Sequence, residues 1–231
     1  MDEFLEFPSP DLLMDALALR VAGLLGEAVQ RRGQATLAVS GGSTPVPLFE
    51  RLAEMDLAWS KVTVYLVDER WVETSSPDSN ENLVRCHLLQ KKAAAAVFVG
   101  MKNQAARAVD GEADCEKRLR MLPSPSDCLL LGMGNDGHTA SLFPGASGLK
   151  SAMDIHSGRL CMTIRPPVTP HERMTLTLPA ILNSRQLILL LQGEEKKKTL
   201  ARAREAGDVS EMPIRFILRQ KLTPLAIYWA P

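Results

Sequence analysis

Four short apolar runs in this chain stop abruptly at polar or glycine-rich residues. Residues 36–39 run into Ser40-Gly41-Gly42-Ser43-Thr44-Pro45, and residues 62–67 into Asp68-Glu69-Arg70-Trp71. Residues 128–131 run into Gly132-Met133-Gly134-Asn135-Asp136-Gly137-His138, and residues 187–191 into Gln192-Gly193-Glu194-Glu195-Lys196. Short, non-alternating apolar runs bounded by turn residues read as strands buried on both faces, the kind found in a mostly parallel sheet covered by helices. In an open α/β sheet, ligands bind just beyond the carboxyl ends of the strands. The four endings therefore describe one rim carrying a glycine turn, a carboxylate and guanidinium, a histidine and a lysine. Such a rim favours an enzyme acting on a small phosphorylated molecule.

Helical segments alternate with these runs. Ser9-Pro10-Asp11 supplies a cap, a proline at the first helical position and an acid in the first turn, and Arg31-Arg32-Gly33 supplies a matching end. Further helices are expected after Pro45, over about 80–90, over about 104–122, after Pro179 and from Glu194 through Arg204. Other short strands are expected at 97–99, 160–164, 174–178 and 225–229. On the 104–122 helix, Glu112, Asp114, Glu116, Lys117, Arg118 and Arg120 form a mixed face of the kind that usually meets water. With 231 residues, 45% of them hydrophobic, no repeat and no long linker, the chain reads as a single α/β domain spanning 1–231.

Composition narrows the function. Lys plus Arg and Asp plus Glu both number 27, so the formal net charge is zero. A neutral chain concentrates neither nucleic acid nor anionic membrane, whereas a small anion needs only a few local cations. Cys86, Cys115, Cys128 and Cys161 are scattered without zinc-ligand spacing, so no structural metal is expected. The start MDEFLEFPSP lacks the features of a signal peptide, and no apolar run approaches the roughly 20 residues that span a bilayer. The expectation is a soluble, cytoplasmic protein with reduced thiols.

Two glycine turns need separate readings. Ser40–Pro45 has the form strand, glycine turn, helix start, with Thr44 suited to cap and Pro45 to the first helical turn; free N–H groups there favour a phosphate. Gly132 to Gly137 fits GxGxxG after a strand, the dinucleotide pattern. It lies mid-chain, however, without an acid ending the next strand about 20 residues on, and its Asn-Asp pair and histidine suit a catalytic loop better. His87, on an exposed or partly packed face of the 80–90 helix, reads as structural, and His156 falls in an irregular segment without any partner pattern.

SGGSTP, VDERWV with Asp78-Ser79-Asn80, GMGNDGHTASLFP, RMTLTLPAI and GEEK occur in that order over about residues 37–201, and they resemble the bacterial 6-phosphogluconolactonase family. The resemblance implies a modified Rossmann-like three-layer sandwich, hydrolysis of 6-phospho-D-glucono-1,5-lactone in the oxidative pentose phosphate pathway, and no cofactor. The related glucosamine-6-phosphate deaminases share SGGSTP and DGH but carry a glutamate where this chain has Phe143 and a tyrosine where it has Arg70. Both departures favour the lactonase over the deaminase. A non-catalytic sugar-phosphate-binding regulator is the reading from another class. The residues then take expected roles: His138 as general base, Asp136 orienting its ring, and Arg70 steadying the oxyanion or substrate with Asp68 orienting it. Gly41, Gly42, Ser43, Thr44, Arg173 and Lys196 are expected to hold the phosphate. The family's G-x-x-K spacing, counted from Gly193, implies Lys196 over Lys197 and Lys198.

Overall fold

The computed structural model describes residues 3–167 and 170–231, so part of the proline-rich connection between Pro166 and Pro170 lies outside the described residues. The chain opens with β1 (Glu3–Glu6) and α1 (Pro10–Arg32). The ends of α1 fall where the sequence puts its signals. Ser9 Oγ accepts the Leu12 N–H at 3.4 Å, and Gly33, at φ +73°, donates its N–H to the Val29 carbonyl. Glycine takes that left-handed conformation without steric cost and so closes the last turn. Next come β2 (Ala35–Val39), α2 (Val46–Glu54), β3 (Val62–Leu66), β4 (Asp68–Arg70), α3 (Asn80–His87), β5 (Val97–Val99) and α4 (Ala108–Arg120). The remainder holds β6 (Cys128–Leu131), α5 (Leu149–Ala152), β7 (Cys161–Ile164), β8 (Arg173–Leu176) and α6 (Leu178–Leu182). It closes with β9 (Leu187–Gln192), α7 (Glu194–Arg204), α8 (Ile214–Arg219) and β10 (Leu225–Ala230).

Seven strands pair in the order β1-β10-β9-β6-β2-β3-β5, each neighbouring pair parallel. The chain moves outward from β2 to β3 and β5, returns to β6 on the other side of β2, and continues to β9 and β10. Right-handed crossovers that travel in opposite directions put their helices on opposite faces. By that rule α1 and α2 fall on one face, where α1 packs on β2, β6 and β10 and α2 on α3; α7 and α8 fall on the other, where α7 packs on β9. α4 lies against β7 and β8 of the second sheet, and the whole is the layered α/β architecture expected from the sequence. Every residue of β2 and β6 is buried, as is β9 up to its last residue.

The structure departs from the sequence reading in several places. Residues 62–67 do not run directly onto the rim. Val67 donates its N–H to Val39 and accepts the Leu176 N–H on its carbonyl, passing the chain from the parallel sheet into a second one. There β4 pairs antiparallel with β8, which pairs with β7. β1 and α8 were not anticipated: glutamates flank the two central apolar residues of β1, and α8 is only six residues long. Thr44 does not cap α2, which starts at Val46 without a side-chain cap. α4 begins at Ala108 rather than near 104, because the Glu172 carboxylate, distant in sequence, accepts the Ala108 N–H at 3.0 Å.

The charged face of α4 does not simply meet water. Glu116 Oε2 accepts the N–H groups of Leu160 and Cys161 at 2.9 and 3.0 Å, and Glu112 Oε1 accepts that of Thr163 at 2.7 Å. These carboxylates take the place of a neighbouring strand along the outer edge of β7, an edge that would otherwise invite pairing with another chain. Arg118 donates to the carbonyls of Gly100 and Met101.

At the amino end of the central pair, buried Asp127 accepts the Thr36 N–H at 2.9 Å and pairs with Arg32, while its own N–H donates to Thr36 Oγ1 at 3.0 Å. Asp127→Ala orphans the buried Thr36 N–H and should cost about 1–3 kcal/mol. The urea midpoint should fall with the slope unchanged; a shift under about 0.5 kcal/mol would show that the clasp contributes little.

Candidate active site

Because β2 and β6 are parallel neighbours, the loops that follow them open at the same end of the sheet, at the point where strand order reverses. A cleft of about 280 Å³ lies there. Gly41, Gly42 and Thr44 line it from the loop after β2, and Gly134, His138, Ala140 and Phe143 from the loop after β6. Asp68 and Arg70 enter from β4, Arg173 from β8, Asn80 from the start of α3 and Lys196 from the first turn of α7. Two expected residues do not line it. Ser43 is exposed outside the cleft, its carbonyl accepting the Val46 N–H, and Asp136 stands behind His138.

The loop after β6 is tied to itself: Gly134 N–H donates to the His138 carbonyl at 2.8 Å and Gly137 N–H to the Gly134 carbonyl at 3.0 Å. It leads into a tight turn and not into a helix, so the GxGxxG run lacks the helix N-terminus that dinucleotide binding requires. Asp136 Oδ1 accepts the backbone N–H of His138 at 3.1 Å and lies 2.6 Å from its Nδ1. Burial would raise the Asp136 carboxyl, but the hydrogen bonds from the His138 ring and backbone outweigh it and hold it below its ordinary value. An ionised Asp136 only accepts, so in a neutral imidazole Nδ1 carries the proton and Nε2 keeps its lone pair. Among the described residues no hydrogen bond engages Nε2. Gly134 is pressed against the ring edge, where an added Cβ would meet Nδ1 at 2.1 Å. The Phe143 ring stacks on the imidazole face, with centroids 4.0 Å apart and an interplanar angle of 29°.

Residues 139–142 form the turn, with Leu142 N–H donating to the Thr139 carbonyl and Ala140 at φ +51°. That region disfavours any residue with a Cβ, at a cost of order 1 kcal/mol. The turn aims Ser141, whose hydroxyl donates to Asp68 Oδ2. Asn80 Nδ2 donates to the Asp68 carbonyl at 2.8 Å and to Oδ1 at 3.3 Å. Asp68 does not orient Arg70 as expected; Arg70 Nη1 donates instead to the Asp78 carbonyl.

Glu69 points to the opposite face of β4, and its part in the site was missed in the sequence. It is fully buried and accepts four hydrogen bonds, from Ser79 Oγ and from the backbone N–H groups of Arg70, Asn80 and Glu81. Burial pushes its carboxyl up against the pull of these donors. The donors at Asn80 and Glu81 are free N–H groups at the start of α3, so Glu69 fastens that helix end and thereby aims Asn80 at Asp68.

Three cations face the cleft. Arg70 and Arg173 lie directly opposite each other in the β4–β8 register. Arg173 is only 7% exposed, and its Nε and Nη1 have no partner among the described residues. Burial, reinforced by the nearby Arg70 charge, holds its guanidinium below the ordinary value. Like charges directly opposite on paired strands destabilise the pair, and an anion between them removes that penalty. Of the lysine run, Lys197 pairs with Glu6 and lies over Trp229, and Lys198 pairs with Glu195. Lys196 has no ion pair among the described residues, and burial lowers its ammonium despite nearby Asp136.

The family described as glucosamine-6-phosphate isomerases/6-phosphogluconolactonase matches residues 8–229. The chain belongs to this family. A 6-phosphogluconolactonase of Pseudomonas aeruginosa is 46% identical over 93% of this chain and 89% of its own length. One from Rhizobium meliloti is 44% identical over 97% of each. The crystal structure of a 6-phosphogluconolactonase from Shewanella baltica superposes with a TM-score of 0.97 at 45% identity, covering 100% of this chain and 98% of that one. Among the described residues no helix is long and apolar enough to cross a membrane.

Glu69→Gln sets an amide NH2 against backbone N–H donors. It should cost about 2–3 kcal/mol, with faster hydrogen exchange at Asn80 and Glu81. Unchanged protection there would show that α3 is held by other contacts.

Proposed function

We propose that the chain, acting as one domain over residues 1–231 in the cytoplasm, hydrolyses 6-phospho-D-glucono-1,5-lactone to 6-phospho-D-gluconate. This is the second step of the oxidative pentose phosphate pathway. The observation that carries the reading is a histidine with an unengaged Nε2 in a cleft that also presents three cations without an ion pair among the described residues. His138 Nε2 takes a proton from a water whose oxygen attacks the C1 carbonyl. The tetrahedral intermediate then collapses with cleavage of the bond between C1 and the ring oxygen, and the imidazolium returns its proton to that oxygen. The acid so formed ionises to solvent. Only water is consumed, and a positioned base of this kind contributes about 10²–10⁴-fold.

Asp136 holds the ring in the tautomer that leaves Nε2 basic and steadies the imidazolium as it forms. Arg70 is suited to the oxyanion or to the substrate's oxygens. Arg173, Lys196 and the Gly41–Thr44 turn together suit the phosphate dianion, with Ser43 able to contribute only its backbone. Gly41 is required where it stands, because an added Cβ would fall 1.9 Å from Asn80 Oδ1. Asp68, held by neutral donors, fixes the wall of the cleft beside Arg70. The deaminase reading has no such support, since Phe143 occupies the place of the carboxylate that chemistry needs.

Acid release from fresh 6-phosphogluconolactone, measured against its spontaneous hydrolysis, tests the proposal, with ammonia release from glucosamine 6-phosphate as the counter-assay. His138→Ala should lose at least about 10²-fold in kcat; near wild-type turnover would remove the base. Gly134→Ala displaces the ring without opening the core and should also lose about 10²-fold, the effect of a misplaced reacting group. Lys196→Ala should raise KM for phosphorylated lactone about 10-fold or more, as expected for a lost charge-assisted contact. An equal loss on unphosphorylated gluconolactone would contradict the phosphate role.

A further inference from the structure

Phe143 is a half-buried aromatic with one face laid on His138 and an edge on the cleft. Its ring centroid lies 4.0 Å from that of the imidazole, closer than the roughly 4.5–7 Å usual for aromatic pairs. The Asp136 contact at Nδ1 is a single hydrogen bond, about which an imidazole can swing. Gly134 blocks that swing on one edge of the ring, and among the described residues no polar group holds the face. What remains to fix the plane is the stack. The contact also changes character during turnover, because an aromatic face attracts a cation more strongly than a neutral ring.

We propose that Phe143 is a positioning residue for His138. Its ring fixes the plane of the imidazole, so that Nδ1 keeps its contact with Asp136 and Nε2 faces the cleft, and it favours the imidazolium once the proton has moved. The turn at Ala140 serves the same end, since its left-handed φ of +51° folds residues 138 and 143 onto one another. The inference rests on His138 being the base, and two separate readouts keep the two claims apart. The stack is read from the ring itself, and its use from kinetics.

The experiment compares Phe143→Leu, Phe143→Tyr and wild type, with thermal melting confirming that each variant is folded. The His138 imidazole is followed by ¹⁵N chemical shifts, assigned by its loss in His138→Ala, and kcat and KM are measured on fresh 6-phosphogluconolactone. The expected result for Phe143→Leu is a mixed tautomer pattern and a kcat lower by roughly three- to tenfold, the range an aromatic pair carries. KM should stay within about twofold, because the stack acts on a ring that changes charge in the transition state and not on ground-state binding. Phe143→Tyr should restore both. Wild-type shifts in Phe143→Leu overturn the proposal, whether kcat falls or not, because Phe143 would then act on substrate or not at all. A changed tautomer with unchanged kcat would uphold the stack and instead sink His138 as the base.

Discussion

The cleft exists because β2 and β6 are parallel neighbours from which the chain departs in opposite directions. That pairing is harder to specify than it looks. In a half-exposed strand, a one-residue slip turns the apolar face to water, which fixes the register; a strand apolar on both faces carries no such penalty. β2 and β6 are of the second kind. Their register, Leu37 opposite Cys128 through Val39 opposite Leu130, is pinned by polar groups at the two ends. Asp127 clasps Thr36 at the start, and Ser40 donates both its N–H and its hydroxyl to the Leu130 carbonyl at the finish. A slip would orphan buried donors at both ends, so the alignment of Gly41 with His138 across the cleft follows from Asp127 at the far end of the strands and from Ser40 at the cleft's floor.

The rim was legible in the sequence because a fully buried strand that stops at once on polar residues marks the point where the chain leaves the core. His138, Lys196 and the glycine turns reach the cleft for that reason, whereas Arg173 enters at the start of β8 in the second sheet and was marked only by the family resemblance. The contacts between rim residues were not legible. Asp68 and Arg70 are two apart and have the spacing of a local ion pair. On a strand, however, such residues stand side by side on one face, and their real partners come from Ser141, Asn80 and the Asp78 carbonyl. Glu69 leaves no signal in the sequence because a buried carboxylate can be recognised only when its donors are known, and three of its four lie ten or more residues away. Glu112 and Glu116 look solvated for the same reason. The second sheet is equally hidden because β4 has three residues and its pairing with β8 spans about a hundred positions, a separation that leaves no local pattern.

The charged groups of the cleft share one property: among the described residues, none of them neutralises another. Asp68 is satisfied by a hydroxyl and an amide, Arg70 by a carbonyl, and Arg173 leaves two nitrogens unbonded. Buried or half-buried charges ordinarily pair, since an unpaired one retains most of its desolvation penalty. An Asp68–Arg70 pair would lower that penalty and stabilise the empty protein. It would also occupy the guanidinium's donors before any ligand arrived, and a ligand would have to break the pair to use them. Holding Asp68 and Arg70 in place with neutral partners keeps their orientation and leaves their charge available. The opposed arginines then make the empty cleft a place of mutual repulsion that an entering dianion relieves. On the proposed reading, relief of that repulsion would add to the charge-assisted contacts an anion makes with the unbonded Arg173 nitrogens, so the cleft would select for charge first and for shape second.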